Sequence, residues 1–261
     1  MIKINGVEVK QNCFPDNTLL VKAEVEKCEV YFIEWKYEND AELFTLICLK
    51  KHYGDRPIDL YLPYCPHARM DRVKDRKDVF TLKYFAEVIN SLNFNKVVLF
   101  DVHSNVAPAL INNCVVQEPI AAIGESVRLS SAEAICYPDE GAMKRYSSMS
   151  SLPYSFCIKK RDWETGKILG LDLMNAAAIK DKNVLIVDDI CSRGGTFFYT
   201  AKALKAAGAK SVSLYVSHLE ETVFDGDLYK AMTEEGLIDH IYTTDSIYNY
   251  IDPKITVVSR V

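Results

Sequence analysis

Residues 184–199, VLIVDDICSRGGTFFY, place two carboxylates and a glycine pair around a short polar loop. Gly194 and Gly195 let backbone amides approach an anion closely, and a helix that begins near Thr196 adds the positive end of its dipole, so a phosphate suits this loop. Asp188 and Asp189 would repel a phosphate, but carboxylates accept hydrogen bonds from hydroxyl groups. The pattern therefore predicts a ligand that carries both a phosphate and a hydroxyl-bearing ring such as ribose. The alternative is a plain strand-to-helix turn in which the first aspartate caps the helix.

Short apolar runs recur along the chain, and each has the length and composition of a buried β-strand. These runs are VYFIEW, IDLYLPY, KVVLFDV, NVLIVDD and SVSLYVSH. Segments with apolar residues three and four apart lie between several of the runs and predict the helices NDAELFTLICLKKHYG, TLKYFAEVINSLNF and GTFFYTAKALKAAGA. Strands that alternate with helices indicate an α/β fold with mainly parallel sheets. Ligands of such sheets bind at the carboxyl ends of the strands, which is where the CSRGGT loop lies.

The chain shows a weak internal similarity. The stretch NSLNFNKVVLFDVHSN resembles KDKNVLIVDDICSR, since each has a helix end, a buried strand, an acid and then polar residues. Two related halves joined between about Gln117 and Ser130 would explain it, although any two parallel strands look alike. The length of 261 residues slightly favours two units. We therefore expect an N-terminal domain over residues 1–120, a C-terminal domain over 121–250, and a strand in 251–261 that returns toward the first domain.

The composition excludes several classes of protein. A formal net charge of −5 argues against a nucleic-acid partner, because phosphate backbones require clustered Lys and Arg. Eight cysteines lie mostly within apolar runs and form no CxxC pair, as reduced core thiols do. The amino terminus alternates like a strand and lacks the apolar centre of a signal peptide, and no apolar run reaches about eighteen residues. We expect a cytoplasmic protein with no membrane partner.

Further motifs, in order along nearly the whole chain, resemble those of ribose-phosphate pyrophosphokinases, also called PRPP synthetases. The motifs are FPDNTLLVK (14–22), END (38–40), LPYCPHARMDR (62–72), VVLFDVHSN (97–105), YPDEGAMKR (137–145), FCIKKRD (156–162), VLIVDDICSRGGT (184–196) and IDHIYTTDSI (238–247). The 184–196 segment also resembles type I phosphoribosyltransferases, but those enzymes lack the ARMDR and DVHSN segments. The resemblance implies two type I phosphoribosyltransferase-like domains, each a mainly parallel sheet flanked by helices. The first would bind ATP and the second a ribose phosphate.

The resemblance also implies roles for individual residues. It assigns the binding of ATP, the diphosphoryl donor, to Phe14, Asp16, Arg69, Asp71 and His103. It assigns the docking of Mg²⁺ to His103 and Asp139, which suits a cation that keeps most of its water and phosphate ligands. Lys160 and Arg161 match the catalytic loop, whose cations would stabilise charge on the bridging oxygen. The ribose-phosphate site would consist of Asp188, Asp189, Ser192, Arg193, Gly194, Gly195 and Thr196.

The sequence departs from the family pattern most clearly at residues 192–196, which we call the acceptor loop because the family binds the diphosphate-accepting ribose phosphate there. In the family this loop usually reads Asp-Thr-Gly-Gly-Thr. Ser192 and Arg193 replace its first two residues, so a carboxylate is lost and a guanidinium suited to phosphate is gained. Near the amino terminus Asn17 and Thr18 replace Gly-Glu, and Met70 replaces a glutamine, so we expect the contacts with adenine to differ. The more basic acceptor pocket favours an acceptor with more negative charge or bulk than ribose 5-phosphate, and ADP-ribose meets that description.

Three functions are compatible with these residues. The first is transfer of the β,γ-diphosphate of ATP to the anomeric hydroxyl of ribose 5-phosphate, which gives PRPP and AMP. The second is the same transfer to ADP-ribose, which gives ADP-ribose 1-diphosphate and AMP and is attributed to a short, phage-like subset of the family in NAD salvage. The third, a non-catalytic regulatory subunit, is disfavoured because His103, Asp139 and the Lys160–Arg161 pair are all present.

The resemblance bears on assembly and regulation as well. Members of the family bind adenine partly through segments of a neighbouring subunit, so it implies a homo-oligomer, at least a dimer. Full-length synthetases continue beyond VVSRV with a further helix. We therefore expect a weakened allosteric site for phosphate and ADP.

Overall fold

The computed structural model describes residues 1–23, 28–54, 56–161 and 168–261, with the backbone alone described at 159–161 and 168–170. The chain divides into two compact units, Met1–Glu118 and Pro119–Val261. Each unit combines a mainly parallel sheet with helices, so the α/β fold class predicted from the alternating strands and helices is confirmed.

The first unit contains a six-stranded sheet and a separate two-stranded hairpin among the residues that the structure describes. Its strands are β1 (Ile2–Ile4), β2 (Val7–Glu8), β3 (Lys10–Cys13), β4 (Leu19–Lys22), β5 (Tyr31–Trp35), β6 (Ile58–Leu62), β7 (Lys96–Phe100) and β8 (Cys114–Gln117). Its helices are α1 (Ala41–His52), α2 (Thr81–Ser91) and α3 (Val106–Leu110). The sheet order is β2-β1-β5-β6-β7-β8, with parallel pairs from β5 to β8, while β3 pairs with β4 in the hairpin.

Strand β5 of this sheet buries alternate side chains in one core. In β5, Tyr31, Ile33 and Trp35 are buried and join the same cluster as Leu46 of α1. Phe32, which lies between two of them, is 43% exposed, as the period-two geometry of a strand requires. Because β6 and β7 are parallel, the loops that follow them open at the same edge of the sheet. The ARMDR and DVHSN segments lie in these two loops.

The second unit contains a seven-stranded sheet in the part of it that is described. Its strands are β9 (Ala134–Tyr137), β10 (Tyr154–Arg161), β11 (Ile168–Met174), β12 (Asn183–Cys191), β13 (Ser211–Leu219), β14 (His240–Thr243) and β15 (Ile255–Val257). Its helices are α4 (Ile120–Ser130), α5 (Glu140–Tyr146), α6 (Gly195–Ala206) and α7 (Asp227–Lys230), with short 3-10 turns at Ser147–Met149, Ala176–Ala178 and Glu221–Asp225 and a π-helical turn at Ala231–Glu235. The order is β11-β10-β9-β12-β13-β14-β15, parallel except between β10 and β11.

Strand β12 is buried on both faces. Val184 and Ile186 belong to the core cluster on one face, and Leu185 and Val187 to the cluster on the other. A strand covered on both faces reads as a continuous apolar run, which is why VLIV precedes the two aspartates. Its neighbours β9 and β13 are parallel to it, so the loops after all three strands open at one edge of the sheet.

The predicted strands and helices are confirmed. Strand β15 pairs with β14 and buries Ile255, so it forms an edge strand of the second sheet. Strands β10 and β11 form an antiparallel hairpin, which a simple alternation of strand and helix does not predict.

All eight cysteines are free thiols. Cys65, Cys136, Cys157 and Cys191 are buried, as expected of reduced core residues, whereas Cys13 is exposed. Burial raises the pKa of Cys114, a half-buried thiol, to about 11. Within the described part of the chain, no helix has both the length and the apolar character needed to cross a membrane.

Candidate active site

The loop between β12 and α6 presents backbone amides at the start of a twelve-residue helix. Gly194 is the N-cap of α6 and has φ +77°, in the left-handed region that glycine enters without strain. A Cβ on Gly194 would lie 2.5 Å from the Leu228 side chain, so this loop packs closely on α7. A Cβ on Gly195 would meet no atom within 4 Å. Exposed amides at the positive end of a helix dipole form the arrangement that binds anions.

The loop differs from the plain capped turn considered as the alternative. The N-cap of α6 is Gly194, which makes no side-chain capping bond, so the interpretation of the first aspartate as a helix cap is wrong. The helix begins at Gly195, one residue before Thr196. Thr196 is half-buried and the Arg193 side chain is exposed. Both residues adjoin the Gly194–Gly195 pair in the sequence, next to the amides on which an anion would sit.

Three carboxylates and one guanidinium meet at the carboxyl ends of β9 and β12. Asp188 is half-buried and Asp189 is 5% exposed. Burial raises the pKa of Asp188 well above its usual range, and the charges of Asp189 and Asp139 raise it further. The Nη1 atom of Arg145, on α5, lies 3.7 Å from Oδ2 of Asp189. Asp139 caps α5 by accepting a hydrogen bond from the Ala142 N–H at 3.0 Å. The structure thus brings Asp139, Asp188 and Asp189 together, in an arrangement that can accept bonds from hydroxyl groups or attract a cation.

Ser192 is linked through hydroxyl groups to the segment that follows β13. Its Oγ lies 3.0 Å from Oγ1 of Thr222, and Thr222 donates to Oε2 of Glu220 at 3.3 Å. Gly226 packs against the loop as well, because a Cβ there would lie 1.9 Å from the carbonyl oxygen of Arg193. The acceptor loop is therefore supported by residues 220–228 in addition to its own strand.

The ARMDR and DVHSN segments of the first unit meet at the carboxyl ends of β6 and β7. Asp71 is buried, and its Oδ1 accepts a hydrogen bond from Nε of Arg72 at 2.8 Å. This bond lowers the pKa of Asp71 against the opposing effect of burial, with smaller contributions from a Ser104 hydrogen bond and the charge of His103. Arg69 and His103 are exposed in the loops after β6 and β7. The predicted ATP residues Asp71 and His103 are thus neighbours.

Phe14 and Asp16 lie in the turn between β3 and β4. Phe14 is 50% exposed. The Asp16 carboxylate accepts hydrogen bonds from the hydroxyl of Thr18 at 2.7 Å and from its N–H at 3.0 Å, and both lower its pKa. Asn17 has φ +64°, a conformation that asparagine tolerates better than most residues, so it suits the position of the family's glycine. The two departures from the family motif therefore preserve a tight turn and orient Asp16.

The predicted catalytic residues Lys160 and Arg161 lie at the end of β10. Lys160 pairs with Gly170 of β11, and the register shifts between Lys160 and Arg161. The side chains of Lys160 and Arg161 lie outside the described part of the structure.

The sequence predicts Mg²⁺ at His103 and Asp139, which belong to different units. Among the described residues, no group of three or more His, Cys, Asp or Glu side chains is arranged to hold a metal ion. Magnesium does not require such a group, because it retains waters and substrate phosphates as ligands. The carboxylates around Asp139 fit a cation, since a positive charge would offset the burial and the carboxylate repulsion that together raise the pKa of Asp188.

Three residues of this region received no role from the sequence. Arg145 ends the YPDEGAMKR motif, so its position in a matched motif is a signal that could have identified it. Thr222 and Glu220 lie in LEETVFDGD, outside the matched motifs. The contact of Thr222 with Ser192 arises because β13 lies beside β12 in the sheet.

The chain is similar to known proteins along most of its length. A family model described as a phosphoribosyl transferase domain matches residues 139–249. The chain is 26% identical over 273 residues to the ribose-phosphate pyrophosphokinase of Prochlorococcus marinus subsp. pastoris, covering 98% of this chain and 80% of that protein. It is 29% identical over 232 residues to the ribose-phosphate pyrophosphokinase of Pyrococcus abyssi, covering 82% of this chain and 76% of that protein.

A solved structure shows the same fold. The phosphoribosylpyrophosphate synthetase from Mycobacterium smegmatis matches with a TM-score of 0.76 at 18% identity, over 96% of this chain and 85% of that chain. The similarity to the two relatives extends over most of each protein, and the transferase-domain match covers the carboxylates and the glycine loop of the second unit. Over most of its length the chain is thus similar to ribose-phosphate pyrophosphokinases, a family of diphosphotransferases, and its second unit matches the phosphoribosyl transferase domain.

Proposed function

We propose that this protein transfers the β,γ-diphosphate of ATP to the anomeric hydroxyl of a ribose phosphate and releases AMP. The observation that supports this most directly is the loop at residues 192–196, which opens α6 beside Asp188 and Asp189 within the matched transferase domain. The amides suit a 5-phosphate, and the two carboxylates suit the ribose hydroxyls. The relatives are named for ribose phosphate, so ribose 5-phosphate is the first candidate acceptor and PRPP the product.

The first unit supplies the residues proposed for ATP. Phe14 is exposed and available to stack on adenine, and the hydrogen bonds to Asp16 orient a carboxylate that could accept from the adenine amino group. Arg69 and His103, exposed near the buried Asp71, are proposed to contact the phosphates. Their chemistry is charge neutralisation and alignment, which is most of what phosphoryl transfer requires.

Mg²⁺, when bound, would neutralise charge along the triphosphate, and His103 and Asp139 are proposed to dock it. Lys160 and Arg161 are proposed to stabilise the charge that develops on the bridging oxygen. Lys160→Ala should therefore abolish most of the AMP release, and an unchanged rate would favour the non-catalytic regulatory subunit instead. A homo-oligomer, at least a dimer, and a cytoplasmic location are part of the same proposal.

ADP-ribose is a second candidate acceptor because of the loop composition. Arg193 places an exposed guanidinium where the family has threonine, and Ser192 removes the family's carboxylate. Both changes favour an acceptor with more phosphate charge.

A paired assay distinguishes the two acceptors. ATP and Mg²⁺ are supplied with either ribose 5-phosphate or ADP-ribose, and AMP formation is followed. Activity with ribose 5-phosphate alone would refute the argument from Arg193. The double variant Ser192→Asp, Arg193→Thr should shift preference toward ribose 5-phosphate, and an unchanged ratio of rates would contradict that expectation.

A further inference from the structure

His67 has an uncommon backbone conformation at the start of the turn that carries Arg69. Its φ of +62° lies in the left-handed region, which most residues avoid and which histidine, asparagine and aspartate enter more often. The Met70 N–H donates to the His67 carbonyl at 2.9 Å, so Arg69 lies within a turn that begins at His67. Such conformations persist where surrounding contacts enforce them, and they concentrate at functional sites. We therefore expect the His67 side chain to be held by its neighbours.

The Asp40 carboxylate holds the His67 side chain. Nε2 of His67 lies 3.1 Å from Oδ1 of Asp40, and because a carboxylate only accepts hydrogen bonds, Nε2 is the donor. The hydroxyl of Tyr37 donates to the same Asp40 oxygen at 3.0 Å. The imidazole also packs on Phe85 of α2, with 5.5 Å between the ring centroids. His67 is thus held between the start of α1 and the side of α2.

The Asp40 side chain serves His67 instead of its own helix. Asp40 is the N-cap residue of α1, where an aspartate usually accepts from the N–H groups of the first turn, yet its side chain makes no capping bond. The Asn39 side chain accepts from the Ala41 N–H at 3.0 Å. The Asp40 side chain is 68% exposed and that of His67 is 25% exposed. An exposed pair contributes little to the free energy of unfolding, so the main effect of this bond is on the position of the turn.

The turn leads directly into residues proposed to bind ATP. Arg69 is exposed within it, whereas Asp71 is buried and accepts from Nε of Arg72 at 2.8 Å. The segment is therefore held on both sides of Arg69, by His67 before it and by Asp71 after it. A cation that is already in position binds a phosphate with a smaller loss of conformational freedom.

We propose that His67 and Asp40 are positioning residues for ATP, because their hydrogen bond holds the turn that presents Arg69 to the ATP phosphates. Neither residue touches ATP, and each acts through Arg69. The inference rests on the proposed function and extends the ATP site to two residues that received no role from the sequence.

Two substitutions remove the hydrogen bond and leave the backbone preferences in place. Asp40→Ala removes the acceptor and loses no capping bond, because the side chain makes none. His67→Asn keeps a residue that tolerates a left-handed φ, but its side chain is shorter than an imidazole. Asp40→Asn retains an oxygen that accepts from Nε2 and serves as the conservative rescue. Glu38→Ala is the matched charge control, because the Glu38 carboxylate pairs with the terminal amine of Met1.

The experiment measures the dissociation constant of ATP with Mg²⁺ by calorimetry without an acceptor, the KM values for ATP and for the acceptor, and the urea midpoint of unfolding. The loss of one hydrogen bond corresponds to about a fivefold change, so the dissociation constant and the KM for ATP should rise about fivefold in Asp40→Ala and in His67→Asn. Both constants should stay at the wild-type values in Asp40→Asn and Glu38→Ala. The acceptor KM and the urea midpoint should not change in Asp40→Ala.

A double variant tests whether the pair acts through Arg69. Arg69→Ala by itself should weaken ATP binding, and the addition of Asp40→Ala should then cause no further weakening, because the turn no longer carries a cation to be positioned. A full fivefold effect of Asp40→Ala in the Arg69→Ala background would refute the action through Arg69.

The remaining outcomes separate this inference from the proposed function. A wild-type protein that releases AMP, combined with unchanged ATP binding in both Asp40→Ala and His67→Asn, would overturn the inference and leave the function standing. Weaker ATP binding with a lower urea midpoint, or with an equal rise in the acceptor KM, would also overturn it, because that result indicates a merely structural role. A wild type that releases no AMP with ribose 5-phosphate or ADP-ribose would overturn the proposed function and the inference with it.

Discussion

Gly226 gives the most direct test of how the acceptor loop is supported. Its backbone is extended, with φ −97° and ψ 157°, a conformation open to any residue, so alanine adds no backbone strain. The added Cβ would, however, lie 1.9 Å from the carbonyl oxygen of Arg193 and 2.7 Å from its carbonyl carbon. Real Cβ contacts essentially never fall below 3.0 Å, so the loop or the segment after β13 must move by about 1 Å. Neither backbone can rotate away as a side chain would.

Overpacking of this kind costs about 1–3 kcal/mol. We expect Gly226→Ala to lower the free energy of unfolding by about that amount in equilibrium urea denaturation, and to raise the acceptor KM while the KM for ATP stays constant. Gly124→Ala is the matched control, because its Cβ would meet no atom within 4 Å on α4 and the helix should gain roughly 0.5–1 kcal/mol. If Gly226→Ala unfolded at the same urea concentration as the wild type, the close approach of the two backbones would be refuted.

Three carboxylates give further predictions. Because the pKa of Asp188 is raised, the folded state binds its proton more tightly than the unfolded state, and stability falls as pH rises above the ordinary value of 3.8. Asp188→Asn should therefore unfold at a higher urea concentration than the wild type at neutral pH, but not below pH 3.8. A higher stability of the variant below pH 3.8 would contradict this expectation. Asp71 has a lowered pKa, so its stabilisation is present above 3.8 and is lost as pH falls through the lowered pKa. Asp71→Asn should be less stable than the wild type at neutral pH and approach it in acid, and a constant difference would contradict the linkage. Asp139→Asn should keep the α5 cap but need more Mg²⁺ for half-maximal AMP release, whereas Asp139→Ala should also lose about 1 kcal/mol in denaturation. If AMP release by Asp139→Asn depended on the Mg²⁺ concentration as it does in the wild type, the proposed role of Asp139 in docking Mg²⁺ would be refuted.

Much of the second unit could be predicted from local sequence. The run VLIV fixes β12 because only a strand covered on both faces tolerates continuous branched and aliphatic residues, and the glycine pair marks where the strand ends and α6 begins. The order of strand, acids, loop and helix follows from neighbouring residues alone. Local sequence therefore predicts the position of the loop between β12 and α6 well.

The parts that could not be predicted depend on pairing across long stretches of chain. Thr222 contacts Ser192 across 30 positions, and nothing in LEETVFDGD signals that contact. The pairing of β15 with β14 requires that the other strands of the second sheet have formed, because β15 joins the edge of that sheet and buries Ile255 there. Asn17 is a partial exception, because a hairpin turn that needs a left-handed residue accepts asparagine in place of glycine. Sequence motifs identify single loops, whereas the order and pairing of the strands in the sheet determine which loops are in contact.

The support of the acceptor loop by residues 220–228 has a consequence for protein engineering. Under the proposed function, the part of the chain that would set acceptor specificity is discontinuous, since residues 192–196 are packed against a second segment from the next strand connection. A graft of a relative's Asp-Thr-Gly-Gly-Thr loop alone would place a new carboxylate beside the Thr222–Glu220 pair, so like charges would face each other across one hydroxyl. Exchange of acceptor preference between family members should therefore succeed more often when both segments are moved together.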